Sequence, residues 1–246
     1  MGVRALVVVL DGLSFVVAET FNWFMGSVGE WWRSQRRRMM MVTQPPNTFA
    51  VMNTFFTGEP VDVHGVRGHG DALAGRRSRV PYLWERVVGN VLVYGVPVTL
   101  PPVFVPRFAE VRPWSEYVFL PREGFEERLS VYVARLRRLL RHTWRLAIAY
   151  VQVPDQAHHY FFPAVTSDEL MRVMVRWYAR SLEIARGLVE ASAAEEWLLL
   201  SDHGLSSVVE EYEHGPTHHR DAVAAGNTRS LPKTDLEVYE TIMSML

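Results

Sequence analysis

Three apolar runs in this chain each end at an aspartate. Ala5 to Leu10 (ALVVVL) leads into Asp11, Leu146 to Val153 (LAIAYVQV) passes through one proline to Asp155, and Trp197 to Leu200 passes through one serine to Asp202. Short continuous apolar runs of this kind read as strands buried on both faces. Between them lie segments with helical spacing. These are Ser14 to Arg38, Phe125 to His142 with Phe125, Leu129, Tyr132, Leu136 and Leu140 on one stripe, and a helix opened by the capping box Thr166-Ser167-Asp168-Glu169. Met39 to Thr43, Asn90 to Val96 and Ala222 to Ala225 supply further strands, Pro81 to Val88 reads as helical, and Thr234 to Leu246 closes the chain as a helix. The alternation predicts an α/β fold with a mostly parallel central sheet and helices on both faces. Such sheets bind ligands at the carboxyl ends of their strands, so Asp11, Asp155 and Asp202 are expected on one edge. One aspartate there is an ordinary turn residue. Three, two of them with histidines in Asp155-x-x-x-His159 and Asp202-His203, call for chemistry.

The chain has no cysteine, so any metal must be held by carboxylates and imidazoles. That donor set suits a catalytic Zn or Mn site with open positions. The stretch Gln44 to Gly65 brings a hydroxyl to the same region, because Thr48 follows Pro45-Pro46-Asn47 and opens the apolar run Phe49 to Phe56. A helix start favours an anion such as phosphate or an alkoxide, although an N-cap role would also account for a threonine at that point. With a net charge of -1, neither nucleic-acid polymers nor anionic membranes are expected as partners. Trp31 to Arg38, aromatic and arginine-rich, reads as a helix end. The N-terminal apolar run is too short to span a bilayer, and a cytoplasmic protein is expected. Scarce Asn, Gln and Cys fit a thermophile source. At 246 residues the chain fits one domain, 1–246, with the Pro-rich and aromatic segment of about 97–122 as an irregular insertion or lid.

These residues resemble the alkaline phosphatase superfamily, and within it the type I phosphodiesterase/nucleotide pyrophosphatase family, especially its compact archaeal members. The resemblance rests on Thr48, followed nine residues later by Thr57-Gly58 and then by His64-Gly65, together with Asp11-Gly12, Asp155-x-x-x-His159, Asp202-His203-Gly204 and the late His219-Arg220-Asp221. It covers nearly the whole chain and implies an alkaline phosphatase-like core with a small or absent cap.

It also implies two divalent metal ions, with Zn favoured and Mn the alternative. One would be held by Asp11, Asp202 and His203 with Thr48, the other by Asp155, His159 and His219. His218 and His214 compete with His219 for the last position. The implied activity is hydrolysis of a small phosphoester, most readily a phosphodiester, through a covalent phosphothreonine on Thr48. A monoesterase or phosphonate hydrolase with the same core chemistry, or a catalytically silent binder of a phosphorylated ligand or a partner, are the alternatives. The family's nucleotide-cleaving members carry an asparagine twenty-one residues after the nucleophile; this chain has His69 there. His69 or Arg67 is therefore the expected substrate-binding donor.

Overall fold

Strand β1 (Ala5–Leu10) is buried along its whole length. Its alternate side chains enter two cores: Leu6, Val8 and Leu10 one, Ala5, Val7 and Val9 the other. A strand covered on both faces belongs in the middle of a sheet. In the computed structural model, which describes residues 3–99, 110–112, 120–162, 166–205 and 218–246, that is its place. The other strands are β2 (Arg37–Met41), β3 (Val91–Tyr94), β4 (Glu110–Arg112), β5 (Leu146–Val151), β6 (Glu196–Leu200), β7 (Gly204–Leu205), β8 (His218–His219) and β9 (Asp221–Gly226). Among the described residues, seven of them form one sheet in the order β2-β9-β6-β1-β5-β3-β4. β1 pairs parallel with β5 and β6, and β3 parallel with β5 and β4; β9 runs antiparallel to β6 and β2. β7 and β8 make a separate antiparallel pair, Gly204 opposite His219 and Leu205 opposite His218.

Helices α1 (Phe15–Phe21), α2 (Gly26–Ser34), α6 (Phe125–Leu139) and α8 (Ser167–Ser192) cover one face of the sheet. α3 (Thr48–Thr57) and α9 (Val238–Ser244) cover the other. The short α4 (Val61–His64), α5 (His69–Leu73) and α7 (Asp155–Phe161) complete the helices named here. The α/β expectation with a mostly parallel sheet therefore holds. The capping box is present too, the Glu169 carboxylate accepting from the Thr166 N–H at 3.2 Å and from its hydroxyl at 3.0 Å.

Three local readings change. The Ser14 to Arg38 segment is two helices, interrupted at Asn22–Met25, and α2 crosses back so closely that a Cβ on Gly29 would lie 1.9 Å from the Asn22 carbonyl oxygen. Arg37 and Arg38, expected at a helix end, instead begin β2, the edge strand that starts two residues before the expected Met39. Charged side chains on an edge discourage pairing with other chains. Pro81 to Val88 forms only one 3-10 turn, Leu83–Glu85, with the Glu85 carboxylate accepting from the Tyr82 N–H. The expected lid at 97–122 falls mostly outside the described residues. Within it, Glu110–Arg112 adds β4 beside β3.

Candidate active site

The three aspartates emerge together at the carboxyl ends of β1, β5 and β6. Asp11 follows β1, Asp155 opens α7 beyond β5, and Asp202 lies two residues past β6. Asp11 and Asp202 are 5% and 0% exposed, which places ionisable oxygens where water cannot screen them. Asp11, Asp202 and His203 form one donor group and Asp155, His159 and His218 a second; within each, one ligand atom per residue lies within 4.8 Å of the others. The rings of His203 and His218 stack at 3.9 Å, so the two groups are neighbours.

Thr48 stands beside the first group. The cap of α3 is Asn47, whose side-chain oxygen accepts from the Ala50 N–H at 3.0 Å. Asn47 thus performs the capping that would have been the plain explanation for Thr48. The Thr48 hydroxyl lies instead 3.5 Å from both Asp11 Oδ1 and His203 Nε2. A cavity of about 290 Å³ opens on it, walled by Phe49, His69, Tyr150, Gln156, His159 and His218 among others.

Local hydrogen bonds orient each donor. Asp202 Oδ1 accepts from the Gly12 N–H at 3.2 Å, while Asp202 Oδ2 and Asp155 Oδ1 are buried without a hydrogen-bond partner. His218 directs Nδ1 at the Pro46 carbonyl, 2.8 Å away, and His203 directs Nδ1 at the Gly204 carbonyl at 3.2 Å. Donation from Nδ1 leaves each Nε2 facing carboxylate oxygens: His203 Nε2 is 3.2 Å from Asp11 Oδ1 and 3.5 Å from Asp202 Oδ2, and His218 Nε2 is 3.7 Å from Asp155 Oδ1. His159 Nε2 lies 3.4 Å from Asp155 Oδ2. A neutral imidazole lone pair facing a carboxylate is repulsive unless a cation lies between them. Backbone-anchored Nδ1 with a free Nε2 is the arrangement of metal-ligating histidines. The orphaned oxygens and the thiolate-free donors therefore fit divalent metal ions.

The electrostatics agree. Burial, reinforced by Asp11, pushes the Asp202 carboxyl up to about 8. Burial opposes charge on His203, but Asp202, Asp11 and Asp155 outweigh it and push its pKa up to about 10. Burial likewise opposes charge on Asp155, yet the hydrogen bond from His159 and the fields of His203 and His218 hold it well below the usual carboxylate range. The cluster demands positive charge at its centre.

Six of the expected metal and nucleophile residues thus converge: Asp11, Thr48, Asp155, His159, Asp202 and His203. The histidine that the structure brings together with Asp155 and His159 is His218, rather than the expected His219. Successive strand residues point to opposite faces, and in β8 His218 is the half-buried one whereas His219 is exposed. His214 lies outside the described residues. His69 lines the cavity with its ring edge-on to Phe49 at 4.6 Å. Arg67 does not line it; its side chain is exposed and lies 3.8 Å from Asp62. Sequence reasoning missed Tyr150, whose hydroxyl donates to Asp11 Oδ2.

His64 organises the loop behind Thr48. Its Nδ1 accepts from the Val66 N–H at 3.1 Å, and its Nε2–H donates to Thr54 Oγ1 at 3.1 Å, whose own hydroxyl donates to the Ala50 carbonyl. Only the neutral ring satisfies this set, and burial pushes its pKa from 6.5 down to about 4. The unfolded chain takes up this proton first, so the contribution of His64 is complete above about pH 6.5 and is lost as pH falls toward 4. Between pH 7.5 and 5, wild type is expected to lose about 1–2 kcal/mol more unfolding free energy than His64→Gln. Urea titrations at the two pH values test this; equal losses would contradict it.

The family model that the chain matches assigns this sheet to a class of protein, the alkaline phosphatase superfamily. The chain belongs to the type I phosphodiesterase/nucleotide pyrophosphatase family, whose model matches residues 5–235. No curated protein matches its sequence. Among solved structures it is similar to an inactive variant of murine ectonucleotide pyrophosphatase/phosphodiesterase 5 in complex with AMP, at 15% identity and a TM-score of 0.55, covering 84% of this chain and 58% of that one. It is also similar to phosphonoacetate hydrolase from Sinorhizobium meliloti 1021 in complex with phosphonoacetate, at 16% identity and a TM-score of 0.52, covering 83% and 57%. The chain thus corresponds to less than three fifths of the length of each. Among the described residues, no helix is long and apolar enough to cross a membrane.

Proposed function

We propose that the chain is a metal-dependent phosphoric ester hydrolase, most readily a phosphodiesterase, with Thr48 as its nucleophile. The observation that carries this reading is the Thr48 hydroxyl, uncommitted to capping, within 3.5 Å of one carboxylate-imidazole group and on the wall of a cavity it shares with the second. Asp11, Asp202 and His203 would hold one ion and Asp155, His159 and His218 the other, with Zn favoured and Mn the alternative. Bound there, such ions would supply Lewis acidity toward the phosphoryl oxygens and favour the alkoxide form of a nearby hydroxyl.

The chain's own part is positioning and displacement. The start of α3 directs its positive dipole end at the cavity, favouring loss of the Thr48 proton and the approach of an anionic phosphoryl group. Thr48 Oγ, its proton lost to solvent, attacks phosphorus in line; the Oγ–P bond forms as the P–O bond to the leaving group breaks, and the leaving oxygen departs with the electron pair and takes up a proton from water to become the alcohol. Water then cleaves the Oγ–P bond and restores the hydroxyl. His69, on the cavity wall, would donate to a phosphoryl oxygen.

Bis-p-nitrophenyl phosphate and p-nitrophenyl phosphate, assayed side by side with added Zn or Mn, test the reading. The diester is expected to turn over faster, and a chelator to abolish turnover of both. Preference for the monoester, or for a phosphonate such as phosphonoacetate, would move the assignment to the corresponding hydrolase. Absence of hydrolysis together with fewer than one metal per chain would indicate a silent binding protein.

A further inference from the structure

Asp11 differs from the other two site aspartates in having a side-chain hydrogen bond from a tyrosine. The Tyr150 hydroxyl donates to Asp11 Oδ2, leaving Oδ1 as the oxygen facing both Thr48 and His203. Tyr150 is 0% exposed and is itself held. It sits in β5 beside Val9 of β1, and its backbone carbonyl accepts from the Tyr132 hydroxyl. That second hydroxyl enters a space only a glycine leaves open, since a Cβ on Gly95 would lie 2.1 Å from it. A carboxylate on a short side chain can rotate and present either oxygen or both. A rigid donor on one oxygen removes that freedom.

We infer that Tyr150 is a positioning residue for the proposed metal centre: it fixes the Asp11 carboxylate so that Oδ1 alone is presented to an ion shared with Asp202 and His203. The inference rests on the proposed function. Among the described residues, the Tyr150 hydroxyl bonds Asp11 and makes no hydrogen bond to Thr48 or to the second donor group, so its influence is expected at one of two ions. Partners that orient a ligand in this way typically contribute 10- to 100-fold to metal affinity.

The test is Tyr150→Phe, which keeps the ring and removes only the donor, with Zn affinity measured by competition with a chromophoric chelator. The expected result is one of two Zn equivalents bound about 10- to 100-fold more weakly and the other unchanged, with kcat recovering toward wild type as free Zn is raised. Tyr132→Phe, which leaves the Asp11 contact in place, is expected to keep both affinities. Cobalt(II) as the probe metal adds a spectroscopic readout: its d–d absorption is expected to change in Tyr150→Phe and not in Tyr132→Phe. Unchanged Zn affinities in Tyr150→Phe, or equal losses in both variants, would overturn the inference while leaving the proposed function intact. A wild-type protein that binds no Zn would overturn both. If Tyr150→Phe does not fold, a crystal structure of the Zn-loaded wild-type protein decides: Asp11 bound through Oδ1 alone is expected, and Asp11 bound through both oxygens would overturn the inference.

Discussion

Thr48→Ala is expected to lower kcat toward a diester by on the order of 10⁴-fold or more, while both metal equivalents remain bound. The size follows from removing the group that forms the covalent bond rather than one that assists it. Metal binding should survive because each donor group keeps its three side chains without Thr48. The fold should survive as well, since the cap of α3 is supplied by Asn47 and alanine is a good helix former at the position after it. Steady-state kinetics with metal analysis on the same preparation make the measurement. Thr48→Ser, which retains a hydroxyl, is expected to keep a measurable part of the activity. Loss of metal along with activity in Thr48→Ala would shift its role from nucleophile to ligand.

The second large effect separates two adjacent histidines. His218→Ala removes a ring whose Nε2 faces Asp155 and whose Nδ1 is anchored on the Pro46 carbonyl. It is expected to cost one metal equivalent and about 10²- to 10³-fold in kcat/KM, a loss of roughly 3–4 kcal/mol of transition-state stabilisation. His219→Ala, on the exposed side of β8, is expected to stay within about threefold of wild type, which is under 1 kcal/mol on the same scale. Kinetics at fixed free metal, followed by metal titration, distinguish the two. The reverse pattern would restore His219 as the ligand.

That pair also marks where sequence reading stops. Asp11, Asp155 and Asp202 were legible because a buried parallel strand fixes where its following residue emerges, and three such strands give the same edge. His159 was legible from the four-residue spacing that brings it back to Asp155 across one turn of α7. His218 and His219 offered no such rule. Which of two neighbours faces inward depends on the register of β8 against β7, a pairing across a long chain separation that local periodicity does not encode. Tyr150 was hidden for a related reason. β5 is buried on both faces, so its run of apolar residues carries no alternation to show that Tyr150 shares a face with the site. The interruption at Asn22–Met25 depended on the close approach of Gly29 to the Asn22 carbonyl, a tertiary contact that helical spacing does not reveal.

The central claim is a covalent passage of the phosphoryl group through Thr48, and stereochemistry at phosphorus reads it most directly. A nitrophenyl phosphorothioate diester, chiral at phosphorus, is hydrolysed in oxygen-18 water and the configuration of the product determined. Two successive in-line displacements, first by Thr48 and then by water, predict net retention. Net inversion would mean that water attacks the substrate directly, and would contradict the account.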